Sequence, residues 1–194
     1  IRLSPNLVDT YATRSDLYYK SGLYKEALAD ADRALSMDKY HPTAYLNRIA
    51  ALNALGRYEE SLSASAQILA VNPKEANIWN NRGNTYGLIN KLDSALICLN
   101  LAIELDSLNY NIFNNRAKVQ KKLGKIESAI SDYSRVLMLK PDNLSVLMSR
   151  SDCFFELKKW REAAADLDKI LATNPDYPGA RENRYYLTKE LGIK

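Results

Sequence analysis

Cysteine and histidine are nearly missing from this sequence: 2 Cys and 1 His in 194 residues. That excludes a zinc site and a disulfide framework. No apolar run approaches the ~20 residues of a membrane span, so no membrane insertion is expected. Charge of one sign is also scarce. A formal net charge of +4 is too mild to announce a nucleic acid or membrane partner. Phosphate-binding glycine loops are absent, with neither G-x-x-x-x-G-K-[ST] nor G-x-G-x-x-G. His41 falls in a turn with no nucleophile at a telling spacing, so no catalytic residue, metal or cofactor is assigned. Cys98 and Cys153 fall in helical segments and read as small buried fillers.

What is present is a period. Gly22, Gly56 and Gly124 are separated by 34 residues or twice that, and Asn90 fills the missing slot. Asn is the other residue that tolerates the left-handed end of a helix. Lys158 occupies the same slot in the fifth unit and is the weakest member. An aromatic or large apolar residue recurs at Tyr11, Tyr45, Trp79, Phe113 and Leu147. A small one recurs at Ala27, Ser61, Ala95, Ala129 and Ala163. Units close on apolar residues and a stop, as in Leu69-Ala-Val71-Asn-Pro73. Apolar spacing within each half-unit is helical, so each unit predicts two helices joined at the Gly/Asn column. One such hairpin cannot bury its apolar stripe alone, and neighbours must stack.

Trp79-x-x-Arg82-Gly83-x-x-Tyr86, followed by Ala95-x-x-x-Leu99 and Ala102, resembles the tetratricopeptide repeat (TPR) pattern across essentially the whole chain. The resemblance implies an all-α fold: a right-handed superhelical α-solenoid of five hairpins and a C-terminal capping helix. The first helix of each pair would line a concave groove. The units are 8–41, 42–75, 76–109, 110–143 and 144–177, with the cap at 178–194. Residues 1–7 match the end of a repeat, since Ile1, Leu3 and Pro5 fall in the columns of Leu69, Val71 and Pro73. They are expected to be the tail of a preceding, truncated repeat, and an uncapped face there would invite self-association.

The groove columns are rich in amide. Asn47, Asn81 and Asn115 share one column, which Asn183 continues in the cap, and Asn77, Asn80, Asn84, Asn111 and Asn114 add to it. An amide both donates and accepts, so it can pair with an extended backbone without reading side chains. This resembles the asparagine ladder by which some members of the family grip peptide main chain. The alternative is that these amides satisfy the neighbouring helix. Lys118, Lys121 and Lys122 place three cations on one groove-facing stretch, with acids at Asp9, Asp16, Asp152 and Glu156. A peptide with acidic residues over unit 4 is the predicted ligand. The chaperone-tail clamp of some family members needs Lys and Arg at groove positions that hold other residues here.

A further column is Arg in every register: Arg14, Arg48, Arg82, Arg116, Arg150 and Arg184. Asp30, Asp132 and Asp166 lie on the second helices, so Arg14, Arg116 and Arg150 are expected to form bidentate structural pairs with them. Arg48 and Arg82 face Ala64 and Cys98 and are left as the arginines most available to a ligand. The leading functional expectation is a non-catalytic scaffold binding a peptide or protein segment. A docking or regulatory module of a larger enzyme is the alternative. An RNA-binding helical repeat is less favoured, because acids interrupt the groove. Cytoplasm and periplasm both fit.

Overall fold

The computed structural model describes residues 5–189 and 192. Among these, eleven α-helices account for all regular structure. They form five hairpins followed by one helix, in two compact units, Ile1–Ser107 and Leu108–Lys194. The first unit holds α1 (Pro5–Lys20), α2 (Tyr24–Met37), α3 (Pro42–Ala54), α4 (Tyr58–Val71), α5 (Ala76–Leu88) and α6 (Leu92–Leu105). The second holds α7 (Tyr110–Lys122), α8 (Ile126–Leu139), α9 (Leu144–Glu156), α10 (Trp160–Thr173) and α11 (Ala180–Lys189).

The turn inside each hairpin follows from one residue. Gly22 has φ +77° and Asn90 +60°, with Gly56, Gly124 and Lys158 in the same left-handed region. That conformation lets two amides turn back onto the helix. Leu23 N–H donates to Tyr18 C=O at 2.9 Å, and Gly22 N–H donates to Tyr19 C=O at 3.0 Å. Three of the four turns between hairpins use side-chain caps instead, and the turn before α5 has none. Asn143 accepts from Val146 N–H, Asn109 from Asn111 N–H, and His41 from Ala44 N–H ahead of Pro42.

Helix α1 begins three residues earlier than the repeat count places it, taking in residues 5–7. Proline at 5 permits this, because a first-turn residue needs no N–H. The expected match of Ile1 and Leu3 to a repeat tail lies outside the described residues.

In the first unit α3 packs on α2 and α1, and α5 packs on α4 and α3. Tyr45, Ile49, Leu52, Ile68 and Ile78 fill the space between them. In the second unit Leu147, Leu167, Ile170 and Leu187 do the same, with Leu187 of α11 completing the core. Small residues set the helix spacing. A Cβ on Gly83 would stand 2.7 Å from Leu99 Cγ, so α5 and α6 approach as closely as they do only because that atom is missing.

Candidate interaction surface

The arginine column is engaged along its length. Arg14 donates to Asp30 at 2.5 and 2.8 Å, Arg116 to Asp132 at 2.7 and 2.8 Å, and Arg150 to Asp166 at 2.8 and 2.7 Å. Each is a two-point fork joining the first helix of a hairpin to its second. The three carboxylates are buried, so the guanidinium forks serve as their counter-charges. The hydrogen bond from Arg14 to Asp30 also raises the guanidinium further above an arginine's usual range.

Arg48 and Arg82, left open to ligand by their columns, are both held by protein. Arg48 brings its Nε to 2.7 Å from Asp32 Oδ1, close enough for an ion pair although the N–H is not aligned for a hydrogen bond. Arg82 donates to Leu62 C=O at 2.7 Å, Ser65 Oγ at 2.8 Å and Tyr86 Oη at 3.2 Å. Asp32 belongs to the preceding hairpin. The same backward reach joins Arg184 to Asp168 and Arg150 to Ser134 Oγ, at 2.7 and 2.8 Å. Asp32, Ser134 and Asp168 share a column that the sequence reading overlooked. The signal was present for two of the three arginines that have no acid sixteen residues on: Asp32 and Asp168 stand sixteen residues before Arg48 and Arg184, whereas Ala66 stands before Arg82.

The amide columns divide. Asn47 Nδ2 donates to Ala12 C=O at 2.7 Å, tying α3 to α1. Asn80 is only 8% exposed and is therefore packed rather than presented to a groove. Asn77 is exposed, and Asn81 and Asn84 are half-buried. Among the described residues the side-chain amides of Asn81 and Asn84 make no hydrogen bond. Spaced i, i+4 and i+7, these three line one face of α5. In the second unit Asn111 and Lys118 are exposed on α7, with Asn114 and Asn115 half-buried beside them.

The lysine cluster is partly neutralised. Lys121 Nζ lies 3.3 Å from Glu156 and 3.7 Å from Asp152, on the neighbouring first helix α9. Burial nonetheless pushes the Asp152 carboxyl upward, with Lys121 offsetting part of that cost. Lys118 and Lys122 remain exposed. The expected basic stretch is thus weaker than its three charges suggest.

Chemistry other than binding finds few groups. Nδ1 of His41 is occupied by Ala44 N–H, which places the ring proton on Nε2, 3.1 Å from Asp9 Oδ1. Both cysteines are buried, and burial pushes the Cys153 thiol up to about 11 and raises Cys98 as well. Neither is an activated thiolate. Among the described residues, no group of three His, Cys, Asp or Glu could hold a metal ion, and no helix is long and apolar enough to cross a membrane.

Comparison with known proteins places this arrangement. A tetratricopeptide repeat model matches residues 13–69 and 114–178, and a second such model matches residues 76–107. No curated protein sequence matches. Among solved structures, TTC0263, a TPR protein of Thermus thermophilus, aligns with a TM-score of 0.79 at 19% identity, over 92% of this chain and 97% of that one. Pseudomonas aeruginosa pilF aligns at 0.85 and 18% identity, over 96% and 85%. YrrB, described as a TPR protein with an unusual peptide-binding site, aligns at 0.67 and 19%, over 90% of each chain. At these identities the likeness concerns the fold. Five helical hairpins in register, the shared small-residue and glycine columns, and family models covering most of the length lead to one conclusion: the chain belongs to the tetratricopeptide repeat family.

Proposed function

We propose that this protein is a non-catalytic scaffold that holds an extended peptide or protein segment along the amide-bearing faces of its first helices. TPR proteins are interaction modules, and protein partners follow from the fold. The observation that carries the finer reading is the α5 stripe of Asn77, Asn81 and Asn84. Among the described residues, the side-chain amides of Asn81 and Asn84 have no hydrogen-bond partner. An amide can take both the N–H and the C=O of one peptide unit. On α7, Asn111, Asn114 and Lys118 form a second stripe at i, i+3 and i+7. There the Lys118 ammonium favours a segment with a carboxylate. Asn47 is the least useful member, because its donor is already given to Ala12.

Each neutral hydrogen bond contributes about 1 kcal/mol, so the amides alone give weak affinity, and several attachment points are needed. The test is selection of binding peptides from a random library by the whole chain, followed by titration against Asn81→Ala/Asn84→Ala. Loss of about tenfold or more in affinity, with helicity and melting unchanged, is the expected outcome. Selected peptides that bind both proteins equally would sink the reading.

A further inference from the structure

The chain has thirteen tyrosines, and their surroundings differ. Tyr11, Tyr18 and Tyr86 each face an arginine guanidinium, and Tyr40 and Tyr110 a lysine ammonium. Tyr133 is buried. Tyr186 meets Phe155, with ring centroids 6.5 Å apart. Among the described residues, two phenol rings touch each other at one place. Tyr19 and Tyr24 have centroids 5.4 Å apart and planes inclined at 54°. That separation puts the two rings in direct contact.

The contact is made wholly within one hairpin. Tyr19 stands near the end of α1 and Tyr24 opens α2, so the pair straddles the turn at Gly22. The left-handed Gly22 and the hydrogen bond from Leu23 N–H to Tyr18 C=O fix how far apart the two backbone positions lie. The same two register positions hold Phe155 and Trp160 in the fifth hairpin, with centroids 5.6 Å apart. Lys158 replaces glycine at that turn, so the ring contact belongs to the hairpin geometry rather than to one pair of side chains. Hairpins 2 to 4 carry Asn53 and Tyr58, Gly87 and Leu92, and Lys121 and Ile126 there. Both members are phenols in the first hairpin alone. Each of these two rings is 36% exposed, within reach of an electron acceptor in solution.

We propose that Tyr19 and Tyr24 form an oxidative cross-linking site, joined by a carbon–carbon bond when a haem peroxidase with hydrogen peroxide acts on the chain. Each phenol gives up one electron and one proton, which leaves two phenoxyl radicals. Their unpaired spin lies on the oxygen and on the ring carbons ortho and para to it. The para carbon carries Cβ, so coupling joins two ortho carbons. Each coupled carbon then passes its hydrogen to its own oxygen as a proton, which restores both phenols. In sum, two phenols and one hydrogen peroxide give one biaryl and two waters. Two radicals on one hairpin meet at an effective concentration far above that of separate chains, so the bond forms within a chain. It staples α1 to α2 across their turn, beside the fork of Arg14 on Asp30. The site is distinct from the amide stripes of α5 and α7 and does not rest on them.

The test treats the whole chain in dilute solution with a haem peroxidase and hydrogen peroxide. Dityrosine fluorescence and a mass lower by two hydrogens are expected in the single-chain fraction. Trypsin cuts after Arg14, Lys20 and Lys25, so the bond should join residues 15–20 to residues 21–25 as one product. Tyr19→Phe and Tyr24→Phe should each abolish that product, with helicity unchanged because both keep the ring. Tyr18→Phe should leave it in place. A single-chain fraction without dityrosine overturns the proposal, as do a cross-link that maps elsewhere and cross-linked dimers as the sole product. A product that survives Tyr19→Phe or Tyr24→Phe overturns it too. Loss on Tyr18→Phe with Tyr19→Phe unaffected does the same, because the bond then starts from the neighbouring ring.

Discussion

Five residues in the left-handed conformation close the hairpins, and they differ in how well they suit it. Gly22, Gly56 and Gly124 adopt positive φ without a Cβ to obstruct them. Asn90 tolerates it through its short polar side chain. Lys158, at φ +57°, has neither advantage and bears a cost on the order of 1 kcal/mol. Lys158→Gly should therefore raise the unfolding free energy by about 1 kcal/mol, read as a higher urea midpoint at unchanged slope. Its long side chain is exposed, so nothing is lost from the core. This column was legible in the sequence because glycine announces positive φ and asparagine permits it. Lys158 was legible only through the period of 34, since nothing in lysine itself suggests the conformation.

Between elements, the decisive contacts are the arginine forks. Arg150 joins three helices: its own α9, α10 through Asp166, and α8 through Ser134. Asp166 is 2% exposed, so removing its partner strands a buried charge. Arg150→Ala should destabilise by about 3–5 kcal/mol, whereas Arg150→Met with Asp166→Leu should cost much less. Denaturant titration of the two variants checks this, and equal losses would refute the explanation. The forward half of the fork was readable, because Arg and Asp recur sixteen residues apart. The backward half was not. Whether Arg48 meets Ala64 or turns to Asp32 depends on how the hairpins pack, and a column of Ala and Cys opposite it says only what is missing. Burial of Asn80 escaped notice for a similar reason. Its position marks a helix face, and the adjoining helix decides whether water reaches it. The pairing of Lys121 with Asp152 and Glu156 also needed the packing of α7 beside α9.

For the whole molecule, pH separates the buried acids of the second unit from its surface. Burial holds the Tyr133 hydroxyl near about 12 and the Cys153 thiol near about 11, above unfolded values of 10.0 and 9.0. Both are neutral when protonated, so their stabilising share is complete below about pH 9. It is lost as pH rises through the folded values, because the unfolded chain releases these protons first. Each tenfold change in proton affinity corresponds to about 1.4 kcal/mol, so an alkaline decline of a few kcal/mol should begin near pH 9. Cys153→Ala should flatten the decline at its onset and Tyr133→Phe its later part, as followed by melting temperature against pH. A decline unaltered in both variants would assign it elsewhere.

The arginine column has a consequence for how such a chain can change. Arg14, Arg48, Arg116, Arg150 and Arg184 each meet one carboxylate, drawn from the same hairpin or from its predecessor. Hairpins that look alike by period are therefore not interchangeable. Duplicating residues 8–41 in tandem would set Asp32 of one copy against an Arg14 already satisfied by Asp30, leaving an anion without a counter-charge at the new joint. Each joint carries its own address, and the repeats can be shuffled only where those addresses agree.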